Sequence, residues 1–335
     1  MWKINGLAYS RPPSCGSRDS VNIDANAFDS KDGAKAVLYT INKFSECKGK
    51  DFTIDSLSDG YKSMVKETVE EMSRFKTMIS EGGLRLALQP IVDLGSRKTH
   101  HYECLVRFPD QGDGVSPFER ITFAEEVGVI SALDYSVVRR AIDVIARTKE
   151  RTRQTLSLAV NLSVRSLEDQ DFIKTLIAIF KKRPEYRKSI AFEVTESAHS
   201  KDLYALNDVI QTLRKAGHAV FLDDFGAGAA AFHYLRAIDV DVVKIDGMYV
   251  REALSSPTGK PFLKAMAGLC HDLNIGAVAE MVEDENTVTF LKECAVQFGQ
   301  GYLFGKPSLE FDPMGQGGGA NNSSRKEPVA IAATA

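Results

Sequence analysis

A chain of 335 residues that is 44% hydrophobic and 26% charged, with a formal net charge of −3, has room for one large domain and an appendage and enough apolar content for a core. The near-neutral balance excludes a blanket field for duplex nucleic acid or an anionic membrane, leaving only a local basic groove. Five cysteines, far apart and with no CxxC pair, argue against a disulfide framework or a zinc knuckle.

Residues 1 to 28 are polar and irregular around Pro12-Pro13 and lack the apolar run of a secretory leader. Nowhere does the sequence approach the roughly 18 uncharged apolar residues of a membrane span, so the expected location is the cytoplasm. Ala34, Val37, Leu38, Ile41 and Phe44 recur at helical spacing. DFTIDSL (51–57) reads as a short strand and Asp59-Gly60 as a turn. A helix is predicted over 61–80, striped by Met64, Val65, Val69, Met72, Phe75 and Ile79 and ended by Gly82-Gly83. Residues 1–80 are too thin for an independent core; they read as a partial regulatory or linking region whose striped helix packs on a neighbour in preference to forming a dimerising coil.

From Leu84 the texture changes. Short apolar runs, RLALQPIVDL, HHYECLVRF, LSLAVNLS, IAFEVTES, AVFLDDFG, DVVKIDG, IGAVAEMVE and VQFGQGYLFG, alternate with amphipathic helical stretches such as 133–150, 171–183 and 202–217. Some eight repeats of strand and helix predict an α/β fold, a (β/α)8 TIM-type barrel over residues 81–310. A doubly wound open sheet would carry a Gly-rich first turn, and no GxGxxG follows any expected strand. The last segment, 311–335, is Gly/Asn/Ser-rich and reads as a flexible tail.

Barrel enzymes build their sites at the C-terminal ends of the strands. Glu103, Asn161, Glu193, Asp223-Asp224, Lys244 and Asp246, Glu280 and Gln300 all fall late in successive expected strands. One such Asp is ordinarily a helix cap, and Asp224 before Phe225-Gly226 fits that; Lys244 could simply pair with one carboxylate. Invoked separately on six strands, that explanation weakens. Five or more converging carboxylates need counter-charge, and oxygen donors suit one or two Mg²⁺ or Mn²⁺ ions better than Zn²⁺. His100-His101 is a poor ligand pair because strand neighbours face opposite ways, whereas Glu103 and Arg107 share a face. Such a cluster fits phosphodiester hydrolysis, with Arg107 neutralising a second phosphate and Gln89-Pro90, at the end of the first strand, contacting a base or ribose.

Eight spaced motifs in order, QPIVDL (89–94), ECLVR (103–107), VNLS (160–163), FEVTES (192–197), DDFGAG (223–228), KIDG (244–247), AEMVE (279–283) and QGYLFGKP (300–307), resemble the EAL-domain family, phosphodiesterases that linearise cyclic di-GMP to pGpG. The resemblance covers about two thirds of the chain. It implies that Glu103, Asn161, Glu193 and Asp223 ligate a first metal, with Asp223 shared with a second beside Asp224. Lys244 then orients the hydrolytic water, Glu280 is a catalytic and metal-binding carboxylate, and Gln300 bonds a metal-site water. Gln89, Leu105 and Arg107 contact substrate; Glu196 anchors the loop after the fifth strand; Glu283 is a supporting acid. It also implies Mg²⁺ or Mn²⁺ as cofactor with Ca²⁺ inhibitory, and a homodimer, with residues 1–80 open to a regulatory protein or domain. The chain departs from the family pattern in three places: Cys104 for alanine, Ala227 and Ala229 to Ala231 for hydroxyl-bearing residues, and Met281 for glycine. No predicted ligand is lost, so catalysis is the expected activity, the alternative being a silent cyclic di-GMP receptor or scaffold.

Overall fold

The computed structural model describes residues 31–46, 54–109, 114–195, 202–226 and 231–309; the expected tail at 311–335 lies outside them. The chain divides into two compact units, one ending at Phe75 and the other starting at Lys76. The first holds α1 (Lys31–Glu46) and most of α2 (Ile54–Ser80), with Ala36, Val65, Met72 and Phe75 buried. Of the strand expected over 51–57, residues 51–53 lie outside the described residues and 54–57 are helical instead, because α2 already runs from Ile54. Ile54, Leu57, Tyr61 and Met64 continue the 3–4 residue period of the stripe, and a lone Gly60 inside a helix costs only about 1 kcal/mol.

The second unit comprises β1 (Arg85–Asp93), β2 (Thr99–Arg107), α3 (Pro117–Glu126), α4 (Ile130–Thr152), β3 (Leu158–Asn161), α5 (Val164–Leu167), α6 (Gln170–Lys182), β4 (Ile190–Thr195), α7 (Leu203–Lys215), β5 (Val220–Phe225), α8 (Ala231–Ala237), β6 (Val242–Ile245), α9 (Gly247–Ser255), α10 (Gly259–Asp272), β7 (Gly276–Ala279), α11 (Glu285–Glu293) and β8 (Phe298–Gln300). The eight strands close into a barrel in sequence order. No helix among the described residues is long and apolar enough to cross a membrane.

The expected regular alternation fails at one place. β1 runs antiparallel to both β2 and β8, while each later neighbouring pair is parallel. The cause is length: the short 94–98 segment cannot accommodate the dozen or more residues of a parallel crossover. It makes a tight turn instead, in which Asp93 Oδ1 accepts from the Ser96 N–H (2.6 Å) and Arg97 takes a positive φ of 62°.

Inside the barrel, the period of two along each strand produces layers. Ile91, Ala159, Ala191, Phe221, Val242 and Val278 form one buried apolar layer, packed against Phe298. His101, 3% exposed and edge-on to the Phe221 ring at 5.1 Å, belongs with it. Two residues further toward the open end, every strand changes chemistry.

Candidate active site

The next layer reads Glu103, Asn161, Glu193, Asp223, Lys244, Glu280 and Gln300, each two positions after its partner in the apolar layer. Because β1 is reversed, its contribution lies two positions before Ile91: Gln89, in register with Glu103. Gln89 is thus a mid-strand residue, where the sequence pattern had placed it at a strand end. One turn of alternation converts an apolar plug into a ring of polar side chains, and the ring contains all the first-metal candidates.

Lys244, 1% exposed, stands at its centre. Its Nζ lies 2.9 Å from Asp223, 3.0 Å from Glu280, 3.3 Å from Glu193 and 3.4 Å from Glu103. Asn161 Nδ2 donates to Glu103 Oε1 (3.0 Å), and Gln300 Nε2 donates to Glu103 Oε2 (2.6 Å) and Gln89 Oε1 (3.0 Å). Burial alone would lower the Lys244 ammonium, but the four carboxylates hold it well above its ordinary range. Burial pushes Glu103 up, yet Lys244 and the Gln300 and Asn161 amides outweigh it and keep that carboxyl low. Glu193 is pushed well up by burial, with Lys244 only a partial offset; for the same reasons Glu280 rises to about 8. At Asp224, burial and the adjacent Asp223 charge raise the carboxyl to about 6.

Strand neighbours normally face apart, so Asp223 and Asp224 reach one site only because β5 is irregular there. The β5–β6 register shifts between Leu222 and Phe225, and Asp224 adopts φ 55°. This local bulge re-aims the second carboxylate toward the first. Asp224 is therefore no helix cap; Asp246 is one, accepting from the Met248 N–H at 2.6 Å at the start of α9.

A cavity of about 280 Å³ opens over this ring, lined by Gln89, Glu103, Glu280, Met281, Glu283, Gln300, Gly301 and Tyr302. Glu283 is exposed at its mouth, apart from the ammonium cluster. Leu105 and Arg107 are half-buried on the strand face they share with Glu103. Glu196 and Ala227, Ala229 and Ala230 lie outside the described residues, as does the Ala231 side chain. His100 and His101 split between exposed and buried, Nδ1 to Nδ1 at 2.8 Å, and neither falls in an acidic cluster. Cys104 is buried on the opposite face from Glu103.

Sequence reasoning did not single out Tyr302 and Gly247. Met281 sits at φ 56°, the left-handed region that glycine enters freely, so its place in the motif reflects backbone conformation. Its side chain lies over Gly247, where a Cβ would stand 2.3 Å from Met281 Cγ. Gly301 is equally constrained: a Cβ there would meet the Val282 carbonyl oxygen at 2.0 Å.

The donor set suits divalent cations. Ligand atoms of Glu103, Glu193 and Asp223 lie within 4.8 Å of one another, and so do those of Asp223, Asp224 and Glu280. The two groups share Asp223. Four carboxyl groups face one ammonium, and Glu193 Oε1 and Gln300 Oε1 are buried without hydrogen-bond partners, so a cation bound here would meet both an excess of acidic groups and unused oxygen donors.

A family model described as the EAL domain matches residues 72–307. Cyclic di-GMP phosphodiesterase PA2567 of Pseudomonas aeruginosa is 31% identical over 231 residues, covering 69% of this chain and 39% of that protein. The solved EAL enzyme Bd1971, in its cAMP and cyclic-di-GMP bound form, is 26% identical with a TM-score of 0.64, over 72% of this chain and 67% of that one. The Klebsiella pneumoniae BlrP1 manganese/cy-diGMP complex is 27% identical with a TM-score of 0.58, over 68% and 56%. The chain spans between 28% and 39% of the length of three curated relatives that it matches.

Proposed function

Since the chain belongs to the EAL domain family, we propose that it is a metal-dependent phosphodiesterase that opens cyclic di-GMP to linear pGpG. The observation that carries this reading is the pair of carboxylate groups sharing Asp223 at the barrel's open end. In this reading Glu103, Asn161, Glu193 and Asp223 hold one Mg²⁺ or Mn²⁺, and Asp223, Asp224 and Glu280 a second. Bound there, the cations supply Lewis acidity, lowering the pKa of a water and neutralising phosphate charge. Lys244 keeps its proton and orients the attacking water through Nζ, held on line by four carboxylates. Glu280, half-buried at the rim with a carboxylate oxygen 3.0 Å from Lys244 Nζ, is the catalytic carboxylate that would hold the second cation beside the water that Lys244 orients. Gln300 fixes Gln89 and Glu103 by its two donated bonds. Gln89, Leu105 and Arg107 contact the nucleotide, with Arg107 facing its second phosphate and Glu283 at the mouth.

Residues 81–310 are the catalytic domain in this reading. Residues 1–80 couple it to a regulatory input, and the protein works as a cytoplasmic homodimer. The test is a time course of cyclic di-GMP with Mg²⁺, Mn²⁺ or Ca²⁺, with products separated by chromatography. The parent forms pGpG with Mg²⁺ or Mn²⁺ and Ca²⁺ suppresses it; Glu103→Ala forms none. Undiminished turnover in that variant overturns the site, and tight nucleotide binding without product makes the protein a receptor.

A further inference from the structure

Asn161 is the only uncharged member of the first ligand set named above, and it has the shortest support. β3 ends on it, and the chain turns at once into α5, a helix of one turn. What holds that turn lies behind it. Asp134, on α4 and 6% exposed, accepts the Ser163 backbone N–H at 3.0 Å through Oδ2. Ser163 in turn donates its hydroxyl to Glu125 Oε1 at 2.7 Å and caps α5 through the Arg165 N–H. Arg165 closes the loop by donating to the Glu125 carbonyl oxygen at 2.9 Å. Asp134 has no place in the ammonium cluster and lines none of the cavity over it, so the site itself does not account for a carboxyl buried at this point. A buried carboxyl is costly unless something requires it.

We propose that Asp134 is a positioning residue: by gripping the Ser163 N–H it fixes the turn that follows β3, and so sets Asn161 against Glu103 for metal binding. The inference rests on the phosphodiesterase reading for the identity of the ligand set. Groups that orient metal ligands from behind are typically worth roughly 10- to 100-fold in affinity.

The test uses the full chain and Mn²⁺ alone, titrated calorimetrically well below the melting temperature. Asp134→Ala strands the Ser163 N–H and weakens Mn²⁺ binding by roughly 10-fold or more. Asp134→Asn keeps an acceptor in place and binds within about threefold of the parent, a difference of less than 1 kcal/mol. Val138→Ala removes a fully buried side chain from the same helix without touching Ser163; it lowers the melting temperature and leaves Mn²⁺ affinity unchanged. Parent-like Mn²⁺ binding by Asp134→Ala, or an equal loss in Val138→Ala, overturns the proposal. A parent that binds Mn²⁺ yet forms no pGpG overturns the phosphodiesterase reading while the affinity series still decides the role of Asp134. A parent that binds no Mn²⁺ overturns both.

Discussion

Replacing Lys244 by methionine would leave Glu103, Glu193, Asp223 and Glu280 facing one another in a pocket from which water is largely excluded. Removing one partner of a buried charge set typically costs about 3–5 kcal/mol. The Lys244→Met protein should therefore melt well below the parent in EDTA, and Mg²⁺ should restore more of the loss in the variant than it adds to the parent. Equal losses with and without Mg²⁺ would argue against a cation-binding cluster. Asp134 offers a second test at this scale. Burial pushes its carboxyl up to about 7, reinforced by Glu125 and opposed by Ser166 and the Ser163 N–H, whereas an unfolded Asp titrates near roughly 3.9. The folded state thus holds the extra proton, and this contribution to stability is complete below the unfolded value and lost as pH rises through 7. Urea unfolding between pH 5 and pH 8 should show Asp134→Asn gaining on the parent by up to about 1.4 kcal/mol per pH unit, then levelling off above pH 7. A constant difference across that range would show that the carboxyl titrates normally.

At the scale of elements, the loop after β7 and the start of α9 are locked together by Met281 lying over Gly247. Gly247→Ala should destabilise the protein by roughly 1–3 kcal/mol through overpacking. Met281→Gly should be close to neutral alone, because relief of the left-handed backbone offsets the lost side chain, and should rescue Gly247→Ala. A double-mutant cycle in urea measures that coupling; strict additivity would mean that the two residues do not meet. These elements also show where the sequence was readable. A polar residue late in each successive strand, where a core residue would otherwise stand, was enough to pick Glu103, Asn161, Glu193, Lys244, Glu280 and Gln300 for the open end of the barrel. That pattern could not show that Asp223 and Asp224 share a site, since that depends on a register shift and a positive φ. The reversal of β1 was in principle legible from a link too short for a crossover, but the rhythm of the later repeats masked it. The strand expected over 51–57, helical from Ile54 onward, reflects a seven-residue window too short to separate a period of two from one of 3.6.

For the whole molecule, the decisive contact is the one that closes the barrel, β1 against β8, through Ile91–Gln300, Val92–Gly299 and Asp93–Phe298. Ending the chain after Val296 would remove β8, expose the edges of β1 and β7 and delete Gln300. Such a chain should elute as aggregate by size-exclusion chromatography, whereas a monodisperse folded product would show that closure is dispensable. The apolar layer beneath the polar ring has a further consequence under the proposed reaction. With Ile91, Phe221, Val242 and Val278 sealing the barrel's interior, the reaction chamber is a blind well with a single mouth. Arriving and departing nucleotides share one doorway, so spent pGpG must vacate before the next cyclic molecule can settle. Product should therefore raise the apparent KM while leaving the maximal rate untouched.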